Sequence, residues 1–176
     1  DISDEIEKLA DELAGRGHRC TAVHADVRDF ASVKEAVMRA KQIEGKIDIL
    51  VNNAGTIRRE DALTFSEKDW DEVMNLNLKS VFFLAQAVAR QFLAQDSGGK
   101  IINIASMLSF QGGIRVPSYT ASKSGVMGVT RLLANEWAKY NINVNAIAPG
   151  YMATNNTQQL RSDEQRSAEI LDRIPA

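Results

Sequence analysis

Residues 47–55 read Ile-Asp-Ile-Leu-Val-Asn-Asn-Ala-Gly, a nearly all-apolar run that ends in two amides and a glycine. A continuous apolar run of this length is typical of a strand buried on both faces, as in a parallel sheet. The sequence Asn52-Asn53-Ala54-Gly55 then favours a turn at the end of the strand. These residues alone leave open whether the turn also lines a ligand, because asparagine amides serve both purposes.

Helical and strand-like segments alternate on both sides of this strand. Asp29 and Ser66 precede apolar residues at helical spacing, and Gly45 follows the first of these two helices. The predicted strands cover residues 19–26, 47–51, 100–105 and 142–148, and the predicted helices cover residues 3–15, 29–44, 66–94, 118–139 and 162–173. This alternation predicts β-α-β crossovers, and therefore an α/β fold with a doubly wound parallel sheet, helices on both faces, and one domain over residues 1–176.

Composition narrows the class of protein. The chain has 176 residues with 21 basic and 23 acidic side chains, a formal net charge of −2. This balance argues against a dedicated nucleic-acid binder, and no apolar run approaches the ~18 residues that span a bilayer, so neither nucleic acid nor membrane is expected as a partner. With Cys20 as its one cysteine, the chain forms no intrachain disulfide and fits a reducing, cytoplasmic compartment. One cysteine and two histidines predict no metal site.

The residues that follow the predicted strands are polar residues or glycines. Asp26, Asn52–Gly55, Ser106 and Pro149-Gly150 occupy these four places. Ligands of open parallel sheets bind outside the carboxyl ends of the strands. The sequence therefore predicts one functional site along this edge of the sheet.

Tyr119 and Lys123 are four residues apart on a predicted helix, so they share a face. A phenol has a pKa of about 10, too high for a base at neutral pH. A nearby ammonium favours the phenolate while desolvation opposes it, so a dominant cation would make Tyr119 a general acid and base. Ser106 would then bond the same substrate oxygen. For a lone Tyr-Lys pair, an exposed helix face without chemistry is the more common explanation.

Asn77 lies within the predicted helix 66–94, where asparagine is a mediocre helix former and a buried amide bonded to its own backbone is the commoner explanation. Taken in order and spacing, however, five features together resemble the short-chain dehydrogenase/reductase family: Asn52-Asn53-Ala54-Gly55, Asn77, Ser106, Tyr119-x-x-x-Lys123 and Pro149-Gly150-x-x-x-Thr154. The resemblance covers nearly the whole chain. It implies a Rossmann-like fold and an oxidoreductase that uses NAD, with NADP as the alternative cofactor.

The resemblance implies a catalytic set of four residues. Tyr119 would exchange a proton with the substrate oxygen, and Ser106 would hold that oxygen. Lys123 would bond the nicotinamide ribose and favour the phenolate of Tyr119, and Asn77 would position a water in a proton relay. We therefore expect these four residues to lie together.

The resemblance also implies a set of cofactor-binding residues that includes Tyr119 and Lys123. The others are Asn53, Ala54 and Gly55 on the adenosine side, Asp26 and Val27 at the adenine, and Pro149, Gly150 and Thr154, with Thr154 at the carboxamide. Asp1 falls near the end of the family's second strand, where an acid binds the ribose 2′-hydroxyl and repels a 2′-phosphate. Asp1 therefore favours NAD over NADP.

Three longer stretches, residues 52–62, 104–119 and 150–157, resemble members of the family that act on keto-sugar acids. We therefore expect a small-molecule sugar acid of hexuronate or pectin catabolism as substrate, with a keto and a hydroxyl group interconverted. Arginine binds carboxylates in bidentate fashion, so Arg58, Arg59 and Arg115 are candidates, with a solvated surface position as the alternative for each. The other predicted substrate contacts are Ser106, Gln111, Tyr119, Tyr151, Asn155 and Asn156.

Two other activities share this catalytic set, gluconate 5-dehydrogenase and 3-oxoacyl-carrier-protein reductase. A non-catalytic protein that keeps the dinucleotide-binding fold is the alternative of another class, and cofactor binding without turnover would reveal it. The intact Asn77, Ser106, Tyr119 and Lys123 favour an enzyme.

Several parts of the family's fold have no counterpart in this sequence. These are the glycine-rich loop, the two strands that the family places between residues 19–26 and 47–51, and the last strand. Unpaired strand edges inside a sheet cost about 1–3 kcal/mol per buried backbone group. We therefore expect a partial domain, incomplete at both ends, that is unstable or inactive alone.

Family members usually form homotetramers through two long helices, which correspond here to residues 66–94 and 118–139. Phe82, Phe83, Leu133 and Trp137 lie on these helices. They suit either an exposed interface or the core, and the sequence does not separate the two.

Overall fold

The sheet of the protein has three parallel strands in the order β1-β2-β3. In the computed structural model, which describes residues 1–154 and 157–172, these are β1 Ile49–Asn52, β2 Gly99–Ile104 and β3 Ile142–Ile147. Ile101 of β2 is in register with Leu50 on one side and Val144 on the other, so β2 is the central strand. The predicted parallel α/β arrangement is therefore confirmed.

Helices make the parallel crossovers between these strands. The α-helices of the described residues are α1 Glu5–Gly15, α2 Phe30–Glu44, α3 Glu67–Met74, α4 Ser80–Gln95, α5 Leu108–Gln111, α6 Pro117–Trp137, α7 Gln158–Arg161 and α8 Glu164–Leu171. No helix within residues 1–154 and 157–172 is long and apolar enough to cross a membrane. Nor do the side chains described there bring three or more His, Cys, Asp or Glu residues together as a metal site.

Two helices begin at their predicted caps. The Asp29 carboxylate accepts a hydrogen bond from the backbone N–H of Ser32 at 2.8 Å, before α2. The Ser66 hydroxyl accepts one from the backbone N–H of Asp69 at 3.1 Å, before α3. Each side chain satisfies a donor that the first helical turn leaves unpaired.

The predicted helix 66–94 is interrupted in its middle. α3 passes into a π-helical segment, Asn75–Lys79, before α4 begins at Ser80. Single-turn π segments are rare and frequently lie at functional sites. Asn77, which is fully buried, lies in this segment.

The main core lies between the sheet and helices α4 and α6. Phe92, Ile101, Leu133 and Ile142 are each at most 1% exposed. At the start of β2, a Cβ atom on Gly99 would fall 2.4 Å from the Phe92 ring. Glycine is therefore required there, because the backbone passes directly over the ring.

The four residues considered for an oligomer interface have different surroundings. Leu133 belongs to the core, while Phe82 and Trp137 are half-buried and pack against it. Phe83 meets Phe30 of α2 edge to face, with ring centroids 5.6 Å apart. Leu133 is therefore unavailable to an interface, because its side chain fills the space between α6 and the sheet.

Two predictions about strands are wrong. Residues 19–26 form no strand: they run without regular structure beside Asp1, whose carbonyl accepts from the backbone N–H of Ala25 at 2.9 Å. The cause is the lack of a neighbouring strand for them within the described residues. β1 is not buried on both faces, since Ile49 and Val51 are 59% and 52% exposed. β1 pairs with β2 alone and is an edge of the described sheet.

Candidate active site

The carboxyl ends of β2 and β3 hold the central part of the site together. The backbone N–H of Met107 donates to the carbonyl of Pro149 at 3.2 Å, and that of Ala105 donates to the carbonyl of Ile147 at 2.8 Å. Ser106 lies between these two contacts, directly after β2. Its position is therefore fixed by the sheet rather than by a mobile loop.

Lys123 is buried on the face of α6 that meets the end of β2. Its ammonium Nζ donates to the carbonyl oxygen of Ile104 at 2.6 Å and lies 5.7 Å from the centroid of the Tyr119 ring. Burial lowers the pKa of Lys123 from its ordinary 10.5 to about 8. At neutral pH Lys123 remains mainly a cation, and this cation lies beside the ring of Tyr119.

Ser106 and Tyr119 line one cavity of about 120 Å³. The Ser106 hydroxyl accepts a hydrogen bond from the backbone N–H of Leu108 at 3.1 Å. Because an accepting hydroxyl keeps its own proton, Ser106 can donate to an oxygen placed in this cavity. The predicted serine and tyrosine thus face the same space.

Asn77 fastens the loop after β1 to α6. Its side-chain oxygen accepts from the backbone N–H of Thr56 at 2.8 Å, and its amide nitrogen donates to the carbonyl of Thr56 at 2.8 Å and to the Ser122 hydroxyl at 3.3 Å. The side chain is fully buried. The structure therefore gives Asn77 a loop-holding contact, and its role in a water relay stays a prediction.

Gly55, in the loop after β1, lies close to Asn77 and Lys123. A Cβ atom on Gly55 would lie 3.4 Å from the Asn77 side-chain oxygen and 3.7 Å from Nζ of Lys123. The predicted cofactor loop and the predicted catalytic lysine are therefore neighbours. A group bound over Gly55 comes within reach of the Lys123 ammonium.

A second cleft, of about 510 Å³, adjoins this loop on the other side. Six of the predicted cofactor-binding residues line it: Asp1, Asp26, Val27, Asn53, Ala54 and Gly55. Its size and its mixed polar lining fit the adenosine part of a dinucleotide. Gly55, at one end of this cleft, lies next to the Lys123 ammonium, so a dinucleotide bound in the cleft would extend toward Lys123.

The two acids of this cleft are engaged with neighbouring groups. Both carboxylate oxygens of Asp26 accept from the Arg28 guanidinium, at 2.7 Å for the shortest contact, and these hydrogen bonds hold the pKa of Asp26 below its usual value. The Asp1 carboxylate accepts from the backbone N–H groups of Ile2 and Ser3 at 2.7 and 3.1 Å. Its preference for a 2′-hydroxyl stays a prediction.

Of the remaining predicted cofactor residues, Gly150 lines the cavity that holds Ser106 and Tyr119. Pro149 contributes the carbonyl that Met107 bonds. Thr154 lies in a turn, where its backbone N–H donates to the Thr157 hydroxyl at 3.1 Å. The contacts of these three residues with a cofactor stay predictions.

The predicted substrate residues divide into two groups. Arg59 and Tyr151 line the cavity with Ser106 and Tyr119. Gln111 lines an adjoining recess of about 450 Å³, which shares Tyr151 and also includes Glu169. Asn155 and Asn156 lie outside the described residues.

Arg58 and Arg115 are absent from the residues that line these cavities. The Arg58 guanidinium contacts Glu72 at 2.9 Å and Asp69 at 3.5 Å, so its charge is already balanced by α3. Arg115 has a φ of 61° on an exposed turn, and its carbonyl accepts from the backbone N–H of Glu60 at 3.1 Å. These placements do not support direct binding of a substrate carboxylate by either residue.

The sequence reasoning missed a buried polar chain beneath the site. The Asn52 amide donates to the side-chain oxygen of Asn103 at 2.8 Å, and the Asn103 amide donates to the Thr130 hydroxyl at 3.0 Å. Asn52 and Asn103 are register partners near the ends of β1 and β2. Two asparagines at matching ends of successive strands were the available signal. This network of hydrogen bonds connects β1, β2 and α6.

Comparison with known proteins agrees with this geometry. A family model described as short chain dehydrogenase matches residues 1–165. The chain belongs to the short chain dehydrogenase family. The prediction of this family, of its Rossmann-like fold and of a dehydrogenase is therefore confirmed.

Similar proteins point to a narrower group within the family. The 2-dehydro-3-deoxy-D-gluconate 5-dehydrogenases of Escherichia coli (strain K12) and Dickeya dadantii (strain 3937) are 74% and 69% identical to the chain over 172 residues. The alignments cover 98% of this chain and 68% of each relative, so the chain spans about two thirds of their length. A crystal structure of gluconate 5-dehydrogenase from Burkholderia cenocepacia J2315, in complex with NADP and tartrate, is 37% identical with a TM-score of 0.95, covering 100% of this chain and 69% of that one.

Proposed function

We propose that this chain is the catalytic part of a nicotinamide-dependent oxidoreductase that interconverts a keto and a hydroxyl group on a sugar acid, of the 2-dehydro-3-deoxy-D-gluconate 5-dehydrogenase type. One observation carries the proposal: Ser106 and Tyr119 line one cavity, and the buried Lys123 ammonium lies 5.7 Å from the Tyr119 ring. The names of relatives up to 74% identical support the choice of substrate.

The chain's own residues handle the proton of this reaction. When bound, the nicotinamide supplies or accepts the hydride at the substrate carbon. The Ser106 hydroxyl donates to the substrate oxygen and orients it, while the Tyr119 hydroxyl gives its proton to that oxygen during reduction and takes one during oxidation. The Lys123 cation stabilises the phenolate left after the proton has moved.

The cavity around Tyr119 suits an anionic, hydroxylated substrate. Arg59 lines it and offers a planar guanidinium for a carboxylate, and Tyr151 and Gln111 offer hydrogen bonds to hydroxyl groups at its outer end. Because Arg59 lines this cavity and Arg58 and Arg115 do not, we assign carboxylate binding to Arg59. An Arg59→Ala variant should raise KM for the sugar acid more than it lowers kcat, and Arg115→Ala is the matched control that should leave KM unchanged.

The cofactor is assigned to the cleft that reaches from Asp26 to Gly55. Its lining supports a dinucleotide, and the Burkholderia structure that resembles this chain binds NADP. Asp1, with a carboxylate at the adenosine end, supports NAD as the preferred form. Binding of NADH and NADPH to the same preparation separates these two cofactors.

A homotetramer in a reducing cytoplasm completes the proposal. Leu93 of α4 and Leu132 of α6 are 48% and 47% exposed, and they lie on the two helices expected to form the interface. They replace Leu133, which belongs to the core. Light scattering of Leu93→Lys and Leu132→Lys variants should show smaller assemblies than the parent chain.

The decisive experiment follows the absorbance of NADH with a 5-keto-sugar acid, using the chain and its Tyr119→Phe variant. A second arm replaces the matching 172 residues of the Escherichia coli relative by this chain, so that the relative's own flanking segments are present. Turnover above the Tyr119→Phe background in either arm supports the proposal. Background rates in both arms, with the relative itself active, would contradict it.

A gluconate 5-dehydrogenase activity is the second candidate, because a structure of that enzyme superposes with a TM-score of 0.95. The same assay with 5-keto-gluconate, and with a 3-oxoacyl thioester for the reductase alternative, ranks the three substrates by kcat/KM. Cofactor binding without turnover of any of them would indicate a non-catalytic binding protein.

A further inference from the structure

Ser109, in the first turn of α5, contacts the backbone of two residues of the site. Its hydroxyl accepts from the backbone N–H of Ser106 at 3.3 Å and donates to the carbonyl oxygen of Lys123 at 2.8 Å. Its backbone N–H donates to the carbonyl of Ser106 at 3.0 Å, and its carbonyl accepts from the Ser124 hydroxyl at 3.3 Å. The Ser109 hydroxyl therefore connects the residues that follow β2 with α6.

We propose that Ser109 is a positioning residue that sets the separation between the Ser106 hydroxyl and the Tyr119-Lys123 pair. The inference rests on the proposed function, since it concerns the geometry of that reaction. Ser109 itself lines neither the cavity around Tyr119 nor the cofactor cleft. Its action passes through Ser106 and Lys123.

The contacts of Ser109 close a ring. From Ser106 the connection runs through the Ser109 hydroxyl to the backbone of Lys123, and the Lys123 side chain returns to the carbonyl of Ile104 at 2.6 Å. Ile104 is the last residue of β2, two residues before Ser106. A closed ring of this kind resists movement of β2 relative to α6, because displacement of either element stretches several hydrogen bonds together.

Only a hydroxyl completes this ring. It must accept from one backbone group and donate to another, and Thr is the other side chain that offers both at the same carbon. With Ala at position 109, the Ser106 N–H loses its partner and the turn that carries the Ser106 hydroxyl is released from α6. Small displacements of catalytic groups reduce rates by up to about 100-fold. We expect Ser109→Ala to lower kcat by about 10- to 100-fold.

The test compares Ser109→Ala, Ser109→Thr and Ser124→Ala in whichever of the two proteins described above, the chain or the Escherichia coli relative that carries it, shows turnover. Ser124 is the matched control, because its exposed hydroxyl bonds Ser109 without touching Ser106 or Lys123. Four quantities are measured: kcat, KM for NADH, melting temperature, and amide hydrogen exchange of the segment 104–112. Ser109→Ala should lower kcat, leave KM for NADH within twofold and speed amide exchange at Ser106. Ser109→Thr should restore both kcat and the exchange rate to the values of the parent. Ser124→Ala should match the parent in all four quantities.

Each other outcome overturns the proposal. Unchanged exchange at Ser106 in Ser109→Ala would show that the bridge does not exist in solution. Faster exchange with unchanged kcat would show that Ser109 has only a structural role. A fall in kcat that parallels a fall in melting temperature, and that Ser109→Thr does not restore, would show the same. Absence of turnover in the parent would remove the proposed function itself, whereas an active parent without the Ser109 effects would remove this inference alone.

Discussion

The N-terminal segment, residues 1–45, and the sheet segment, residues 46–147, bury their apolar residues to very different extents. In residues 1–45, all of which the structure describes, Ala10 and Val33 are the buried residues, while Leu9 remains 55% exposed. The sheet segment contains a continuous core around Phe92 and Ile101. Both segments carry apolar residues at helical spacing, so the pattern alone does not account for the difference.

The difference lies in the partners that each segment finds. α2 docks on α4 through Val37 at the core and through the edge contact between Phe30 and Phe83. α1 and residues 19–26 contact the sheet segment little, and Asp1 supplies the backbone partners of Val23 and Ala25. An amphipathic pattern thus yields a helix, but its stability depends on a surface against which the apolar face can pack.

The largest expected effect concerns chemistry in the sheet segment. Tyr119→Phe removes the proton donor, and general acid–base catalysis contributes about 10²- to 10⁴-fold to a rate. We expect turnover to fall by that factor while the melting temperature stays within a few degrees, because the ring is retained. Absorbance of NADH and thermal unfolding of the same samples measure both. A variant with full turnover would remove Tyr119 from the mechanism.

The second prediction compares the loss of stability when an apolar side chain is truncated in each of the two segments. Phe92→Ala opens a cavity under β2 and should lower the free energy of unfolding by about 3–5 kcal/mol. Leu9→Ala, in the half-exposed face of α1, should change it by less than about 0.5 kcal/mol. Urea unfolding of the two variants beside the parent tests the pair, and similar losses would mean that α1 belongs to the same cooperative unit.

The pH dependence separates the two segments by the pH range in which each one acts. Because burial lowers the pKa of Lys123 to about 8, the unfolded chain binds more protons than the folded chain between pH 8 and 10.5. The free energy of unfolding should therefore rise across that range, by roughly 3 kcal/mol from this group, and be level below it. Lys123→Met should lack the rise, and an equal slope in the variant would contradict the assignment.

Asp26, in the N-terminal segment, should act in the acid range instead. Its pKa is lowered by hydrogen bonds from Arg28, so its stabilising effect is present above its unfolded pKa and is lost as the pH falls through the folded value. The Lys123 effect is thus alkaline and the Asp26 effect acidic. The difference in the free energy of unfolding between the parent and an Asp26→Asn variant, measured across the acid range, isolates the Asp26 effect.

The smallest expected effect compares two helix caps of the same kind. Asp29→Ala and Ser66→Ala each remove a side chain that accepts a hydrogen bond from the first turn of a helix. Loss of such a cap lowers stability by about 1 kcal/mol. Ser66→Ala should lower the main unfolding transition, since α3 leads into the core. Asp29→Ala should chiefly speed amide exchange in α2. Equal shifts of the main transition would show that the two segments unfold as one.

Local sequence signals predicted an element correctly where that element also packs against a neighbouring element in the structure. The caps Asp29 and Ser66, and strands β2 and β3, are found where the pattern predicts them. Residues 19–26 have the composition of a strand but no strand beside them among the described residues, and strand structure requires a partner. The exposure of β1 has the same cause.

In the candidate site, the motif spacing brought Ser106, Tyr119 and Lys123 together correctly. The pairing of Arg58 with Glu72 lay beyond reach, because it depends on how α3 is oriented over the loop after β1. The bridge made by Ser109 was equally hidden, since a serine in a short turn has no distinctive pattern. Side chains that act through the tertiary arrangement are visible only once that arrangement is known.

The open side of β1 has a consequence for handling the protein. A strand edge with unpaired N–H and C=O groups is a template on which another extended chain can add, and exposed apolar side chains such as Ile49 and Val51 favour that addition. The charged side chains of Lys46 and Asp48, which form an ion pair at 2.9 Å just before β1, oppose the addition of another chain. Concentrated solutions of this chain should therefore form β-rich aggregates, and a lysine at position 49, which lines neither the cavity around Tyr119 nor the cofactor cleft, would improve solubility.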